Sequence, residues 1–280
     1  MNIIGTGLSG LVGSRVTQLL SADFTFENLS LETGVDITDA MSVAKRLAAS
    51  DAPWVFHMAA YTDVQGAEKE KDIAWKVNVE ATGHIADLCK KQGKRLLYID
   101  TDYAFDGKKK SYTEDDAPHP LGWYAKTKTE GAKRVLAIGG LVIRISNPYR
   151  ASPVGKKDFV HKMLERMQAG QMVTAPGDQI FAPTFIDDIA AALRVLVKLG
   201  ASGIYHVVGS PLSPYQAAGV IAQVFGCDLS LVQKTSFAAM FANRAPVPQY
   251  AALKNDKITS LGVVLHSFRE GIAEVKKQES

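Results

Sequence analysis

Residues 2–13 read NIIGTGLSGLVG: a short apolar run, then four glycines at 5, 7, 10 and 13, with apolar residues continuing at helical spacing through position 21. A strand, a glycine loop and a helix in that order predict the first unit of a nucleotide-binding α/β fold. Glycines let the backbone approach a pyrophosphate, whose charge meets the free N–H groups of the helix start. Two registers fit. Gly5, Gly7 and Gly10 make G-x-G-x-x-G, and Gly7, Gly10 and Gly13 make G-x-x-G-x-x-G with Thr6 in front. The alternative is a tight β–α turn that holds no nucleotide. The strand and helix on either side favour a cofactor cradle made by Gly7, Leu8, Ser9, Gly10, Leu11, Val12 and Gly13.

The pattern repeats downstream. NIIG (2–5), FTFENLSL (24–31), PWVFHMAA (53–60), KRLLYID (94–100) and GLVIRIS (140–146) read as strands, several apolar at nearly every position, as in strands covered on both faces. Helical patterns lie between them at 11–21, 39–49, 72–92 and 122–138, the last closed by Gly139 and Gly140. This alternation predicts a Rossmann-like, doubly wound parallel sheet with right-handed crossovers. After residue 147 the rhythm changes: a loop NPYRASPVGKK, amphipathic helices near 157–169 and 213–226, and the proline-punctuated NRAPVPQY. The expected division is a nucleotide-binding domain over 1–147, with 178–200 returning to it. A small substrate-binding lobe from 148–177 and 201–280 would pack on the sheet's carboxyl edge, where ligands bind in open α/β sheets.

Composition narrows the class. The 280 residues are 46% hydrophobic and 22% charged with a formal charge of +3, which is ordinary for a globular chain and gives no basic footprint for nucleic acid. KKK at 108–110 reads as a solvated loop. Cys89 and Cys227 have neither metal spacing nor a disulfide framework, which suits a reducing cytoplasm. No run of about 18 apolar residues suggests a membrane span. His57 and His119 stand alone, so no metal site is expected.

Tyr124 and Lys128, in LGWYAKTK (121–128), lie one turn apart on a predicted helix and so on one face. The spacing itself means little. Among 22 lysines and nine tyrosines a chance match is unsurprising, and Tyr250–Lys254 is a second one. The chemistry is coherent nonetheless. A ketone that accepts hydride develops alkoxide charge and needs a proton, and tyrosine, with an ordinary pKa near 10, needs a nearby cation to act near neutrality.

Taken in order, the glycine loop, HMAAYTDV (57–64), DTDYAFDG (100–107) and YAKTK (124–128) resemble the extended short-chain dehydrogenases/reductases, most closely the dTDP-4-dehydrorhamnose reductases. FAPT (181–184), GIYHVVG (203–209), Pro248, Leu253 and Lys257 fit the same pattern more loosely. The resemblance implies an NAD(P)H-dependent reductase of a 4-keto-6-deoxy-sugar nucleotide. Thr101 would hydrogen-bond the carbonyl, Tyr124 would protonate its oxygen, and Lys128 would support Tyr124 and hold the nicotinamide ribose. It also implies cofactor contacts from Asn28, Asp36, Ile37, Met58, Ala59, Ala60, Tyr61, Asn78 and Ile99, and sugar contacts from Thr62, Asp63, Asp102, Tyr103 and Phe105.

Several residues depart from the family pattern. Asp100 stands where a serine is usual, His57 and Met58 where Asn-Ala is usual, and Val247 where an arginine adjoins the proline, with Arg244 three positions earlier. The coenzyme stays open between NADP(H) and NAD(H). Asn28 occupies the place of an acid that would favour NAD, with Glu27 beside it, while Arg15 is the one arginine in reach of a 2′-phosphate. A non-catalytic NADP-binding subunit, like the regulatory β subunit of methionine adenosyltransferase, and a nucleotide-sugar epimerase or dehydratase are the competing functions. The expected partners are a nucleotide-sugar substrate and, left open, a second copy of the chain, with neither nucleic acid nor membrane.

Overall fold

The computed structural model describes residues 1–280. Its elements in chain order begin with β1 (Asn2–Thr6), α1 (Leu11–Leu20), β2 (Thr25–Asn28), α2 (Ala40–Ala48), β3 (Trp54–His57), α3 (Val64–Lys69) and α4 (Lys71–Trp75). A π-helical turn over Lys76–Glu80 leads into α5 (Ala81–Gln92), β4 (Arg95–Thr101), α6 (Trp123–Leu136) and β5 (Leu141–Ile145). Then come α7 (Phe159–Gln168), β6 (Val173–Pro176), α8 (Ile186–Leu199), β7 (Gly203–His206), α9 (Pro214–Phe225), β8 (Val232–Thr235), α10 (Phe237–Phe241), α11 (Asp256–Thr259) and α12 (Phe268–Glu279).

Six strands form one parallel sheet in the order β2-β1-β3-β4-β5-β7. The strands alternate their side chains between two covered faces. Ile3, Phe56, Leu97, Ile99 and Ile143 pack with Val16 and Leu20 of α1 and with Ile189, Leu193 and Leu196 of α8. Ile4, Val55, Leu96, Tyr98 and Val142 pack on the other face with Val43, Leu47, Ile85, Ala132 and Val135 from α2, α5 and α6. That is the Rossmann-like, doubly wound arrangement, and its direction of winding reverses between β1 and β3, where such folds bind their ligands. No helix is long and apolar enough to cross a membrane.

The lobe has its own core, in which Tyr149, Phe181, Phe185 and Phe268 meet Val160, Leu164, Ala218 and Ile221. A short parallel pair, β6 with β8, braces it. The division expected at residue 201 changes here. Gly203–His206 is a strand of the main sheet, paired with β5, and not part of the lobe. The physical reason is its alternation: Tyr205 packs toward the α1–α8 side and Ile204 toward the opposite side. α8 packs against α1, so 186–206 as a whole lies with the sheet.

Candidate active site

The glycine loop takes its shape from steric need. Gly7 has φ +67, and a Cβ there would stand 2.5 Å from the Ala59 nitrogen at the end of β3. A Cβ on Gly13 would stand 2.2 Å from the Gly7 carbonyl oxygen. Gly10 is the N-cap of α1, brings no capping side chain, and no acid occupies the first turn. The helix therefore presents its first N–H groups without an internal partner, beside a backbone that comes unusually close to β3. Both features fit a dinucleotide pyrophosphate, and they weight the register of Gly7, Gly10 and Gly13.

β1 and β3 are locked together by a hydrogen-bonded chain. The Ala59 N–H donates to Thr6 Oγ1 at 3.2 Å, Thr6 Oγ1 lies 2.7 Å from His57 Nδ1, and His57 Nε2 lies 2.9 Å from Thr82 Oγ1. Thr82 donates its proton to the Asn78 carbonyl at 2.8 Å, so it accepts from His57 Nε2–H, and Thr6 must donate to Nδ1. His57 is thus neutral with its proton on Nε2. Burial pushes its pKa down to about 3, with the Lys128 charge adding to the effect. Asn78 lies in the π turn, and its side chain closes the circuit. It accepts from the Tyr61 N–H at 2.8 Å and donates to the Tyr61 carbonyl at 3.1 Å and to Thr127 Oγ1 at 3.0 Å. One amide therefore ties the loop after β3 to α6.

α6 begins at Trp123, whose N–H is held by the Glu68 carboxylate at 2.6 Å. Tyr124 is half-buried on its first turn, and its ring meets Tyr103 edge-on at 6.2 Å. Burial raises the Tyr124 pKa, opposed by the neighbouring Thr101 hydroxyl. Lys128, one turn on, is 4% exposed. Its ammonium donates to the Ile99 carbonyl at 2.7 Å and sits 3.9 Å above the Tyr98 ring. Burial lowers its pKa to about 8, with Asp100 pulling the other way. Thr101 ends β4 and caps the next turn, accepting from the Tyr103 N–H.

The lobe reaches across to this point. The Ala245 N–H donates to Gln65 at 3.0 Å, and a Cβ on Gly122 would stand 2.7 Å from the Pro246 carbonyl oxygen. The segment 244–248 therefore passes directly beside the start of α6. Thr62 and Asp63 are exposed on the facing rim, where Asp63 caps α3. Met58, Ala59, Ala60 and Tyr61 are half-buried along the exit of β3. Asn28 ends β2 with its side-chain oxygen unpartnered.

Three expectations change. Phe105 does not face the cleft: its turn directs the fully buried ring onto Tyr112, stacked at 4.2 Å, and beneath the Arg144 guanidinium. Asp102 is 1% exposed and turns its carboxylate inward to Thr101 and Ser146, so it is no sugar contact. Arg15 is occupied by Asp187 through two bonds of 2.6 and 2.7 Å and is not free for a 2′-phosphate. Asp36 spends its carboxylate on Thr38, and the cap of α2 is Asp39. Ile37 is half-buried nearby, and the Ile99 side chain lies in the core.

Sequence reading missed four residues. Arg46 of α2 donates to the Asn28 carbonyl at 3.4 Å, which brings a guanidinium to the end of β2. Arg150 is buried and bonds Ser14 of α1 at 2.8 Å. Ser146 and Asn147 follow β5, and Asn147 has φ 39 in the left-handed region. The asparagine before a proline at a strand end was the available signal in NPYR.

The whole chain, residues 1–280, matches the family described as the RmlD substrate binding domain. The dTDP-4-dehydrorhamnose reductase of Mycobacterium tuberculosis is 31% identical over 97% of this chain and 91% of its own length. The mouse methionine adenosyltransferase 2 subunit beta is also 31% identical, over 79% of this chain and 68% of its own length. Among solved structures, the dTDP-4-dehydrorhamnose reductase of Bacillus anthracis in complex with NADP superimposes with a TM-score of 0.91. It is 25% identical, with 99% of each chain covered.

Proposed function

This chain belongs to the RmlD substrate binding domain family, and from that premise we propose that it is an NAD(P)H-dependent reductase of a 4-keto-6-deoxy-sugar nucleotide. The observation that carries the reading is the convergence of Thr101 at the end of β4 with Tyr124 and Lys128 on the opening turns of α6. The start of α1, which no side chain caps, opens at the same carboxyl edge of the sheet as Thr101. The relatives named dTDP-4-dehydrorhamnose reductase, one of them in complex with NADP, support the same substrate and coenzyme class.

Reduced nicotinamide, when bound, supplies the hydride that adds to the ketone carbon. The chain's own groups handle the oxygen. Thr101 donates a hydrogen bond that polarises the carbonyl, and Tyr124 gives its phenolic proton to the developing alkoxide. The phenolate left behind lies in a largely buried setting that disfavours charge, and Lys128 is the cation one turn away that offsets it. Asn78 fixes the distance between the β3 exit and α6 through Thr127. Thr62, Asp63 and Tyr103 are the chain's groups for the sugar, with 244–248 closing the opposite side. At the adenosine end, Asn28 and Arg46 are placed for the ribose. The glycine loop, the β3 exit and Ile37 line the remainder. A reducing cytoplasm suits the free Cys89 and Cys227.

A panel of nucleotide-linked 4-keto-6-deoxy sugars, tested with NADH and with NADPH and followed at the reduced-nicotinamide absorbance, tests this reading. Oxidation of either coenzyme with one of these ketones supports it. No oxidation with any of them, together with a stoichiometric enzyme partner on purification, would establish a regulatory subunit instead. NAD retained tightly through purification, with epimerised or dehydrated product, would establish the third function.

A further inference from the structure

Thr101 has one proton, and it lies between two oxygens, the Asp102 carboxylate and the Tyr124 phenol. Its Oγ1 donates to Asp102 Oδ1 at 3.1 Å while accepting from the Tyr103 N–H at 3.2 Å. Asp102 Oδ2 accepts from Ser146 Oγ at 2.7 Å. Ser146 Oγ in turn accepts from Asn147 Nδ2 at 3.3 Å. The carboxyl is 1% exposed and forms no ion pair. The nearby cations are engaged elsewhere, Lys128 with the Ile99 carbonyl and Arg144 with Asp100. The titratable groups facing it are the phenols of Tyr103, on its own turn, and Tyr124, on α6. Ser146 is its neighbour from the end of β5.

With Asp102 ionised, this arrangement has a consequence for the reduction. A carboxylate accepts only, so it holds the Thr101 proton, and Thr101 has none to offer a ketone oxygen. With a proton on Oδ1 the direction reverses. The carboxyl donates to Thr101 Oγ1, both lone pairs of that oxygen are then filled by Asp102 and the Tyr103 N–H, and the hydroxyl proton must point away from them. The bond from Ser146 to Oδ2 is unchanged in either state.

We propose that Asp102 is a positioning residue whose protonated carboxyl turns the Thr101 hydroxyl toward the substrate ketone. Only hydrogen bonds reorient: no proton leaves Asp102 during turnover, and the proton gained by the product oxygen still comes from Tyr124. Burial pushes the Asp102 carboxyl up to about 7 against the bonds from Ser146, Thr101 and the backbone N–H groups of Asp102 and Tyr103, which populates both states near neutrality. This inference rests on the reductase function proposed above.

The test is the pH dependence of kcat in wild type, Asp102→Asn and Ser146→Ala. Asparagine can donate to Thr101 and accept from Ser146 at every pH. Asp102→Asn should therefore keep wild-type kcat within a few-fold at pH 6 and lose the decline that wild type shows above pH 7. That decline approaches tenfold per pH unit for one titrating group. Ser146→Ala removes a bond that favours the ionised form, so the decline should move to higher pH. A decline unchanged in both variants would overturn the proposal, and would be the result if Lys128, with its pKa near 8, governed the alkaline side. Should Asp102→Asn fail to fold, Ser146→Ala alone decides. Absence of wild-type turnover on every ketone at every pH would overturn the reductase function and this inference with it. Wild-type turnover with an unmoved profile would overturn only the role of Asp102.

Discussion

Two polar rows flank β4 at the carboxyl edge of the sheet, and they are built differently. On the β1–β3 side, Thr6, His57, Thr82 and the Asn78 carbonyl form a neutral chain in which each donor has an acceptor. On the β5–β7 side, Asp100, Arg144 and His206 lie side by side across three strands, all buried, with Asp100 and Arg144 forming an ion pair beside a neutral imidazole. The Arg144 Nε bonds Asp100 at 3.0 Å, but Asp100 Oδ1, Arg144 Nη1 and His206 Nε2 have no partner. A satisfied neutral chain holds geometry with little electrostatic penalty, whereas a buried ion pair depends on both members being present. The first row runs on to α6 and so positions Tyr124. The second pairs the acid at position 100 with a guanidinium from the adjacent strand.

The largest effect should come from breaking the charged row. Arg144→Met leaves Asp100 buried and uncompensated and should cost about 3–5 kcal/mol in urea unfolding, most of it recovered in the Asp100→Asn/Arg144→Met double variant. If the single variant were as stable as wild type, the pair would not be coupled. The neutral row is more forgiving: Thr82→Val orphans His57 Nε2–H and the Asn78 carbonyl and should cost about 1–3 kcal/mol, again by urea unfolding.

Acid separates the rows from the rest of the fold. His57 and His206 both have pKa values lowered to about 3 by burial, against 6.5 for an ordinary histidine. Below pH 6.5 the unfolded chain takes up protons that the native one refuses, so each residue makes stability fall as pH drops toward 3. The slope is about 1.4 kcal/mol per pH unit each. Asp102, raised to about 7 from 3.8, works in the opposite sense between those values and offsets one of them. His206→Leu should therefore reduce the acid slope by about 1.4 kcal/mol per pH unit, read from urea unfolding at pH 7, 6 and 5. An identical slope would mean that His206 is already protonated in the fold. The smallest effect is expected at the adenosine end. Arg46→Ala should raise the KM for NADPH about fivefold and leave that for NADH unchanged, an exposed-charge effect of about 1 kcal/mol.

The comparison also shows what could be read from the chain alone. The glycine loop was legible because its constraint is local: a Cβ at Gly7 or Gly13 collides with backbone a few residues away or on the adjacent strand. Tyr124 and Lys128 were legible only in context. Their counterpart pair, Tyr250 and Lys254, has the same spacing, but it lies in an extended segment bridged to Ile180, with Lys254 exposed. An i, i+4 spacing puts two side chains on one face only where there is a helix. Asp100 was visibly unusual, but its partner was not, because only strand register places residue 144 beside residue 100. Phe105 and Asp102 were misplaced for a related reason. A single 3₁₀ turn over Asp102–Ala104 decides which side chains go inward, and DTDYAFDG carries no periodicity long enough to reveal it.

The account depends most on Tyr124 as the proton donor. The direct test is turnover of Tyr124→Phe on a nucleotide-linked 4-keto-6-deoxy sugar at saturating NADPH, alongside coenzyme affinity measured by fluorescence titration. Loss of kcat by about 10²–10⁴-fold with coenzyme affinity unchanged is the expected result, since the phenol is the group that supplies the proton. Wild-type kcat in Tyr124→Phe would contradict the assignment and remove the chemistry proposed for the pair.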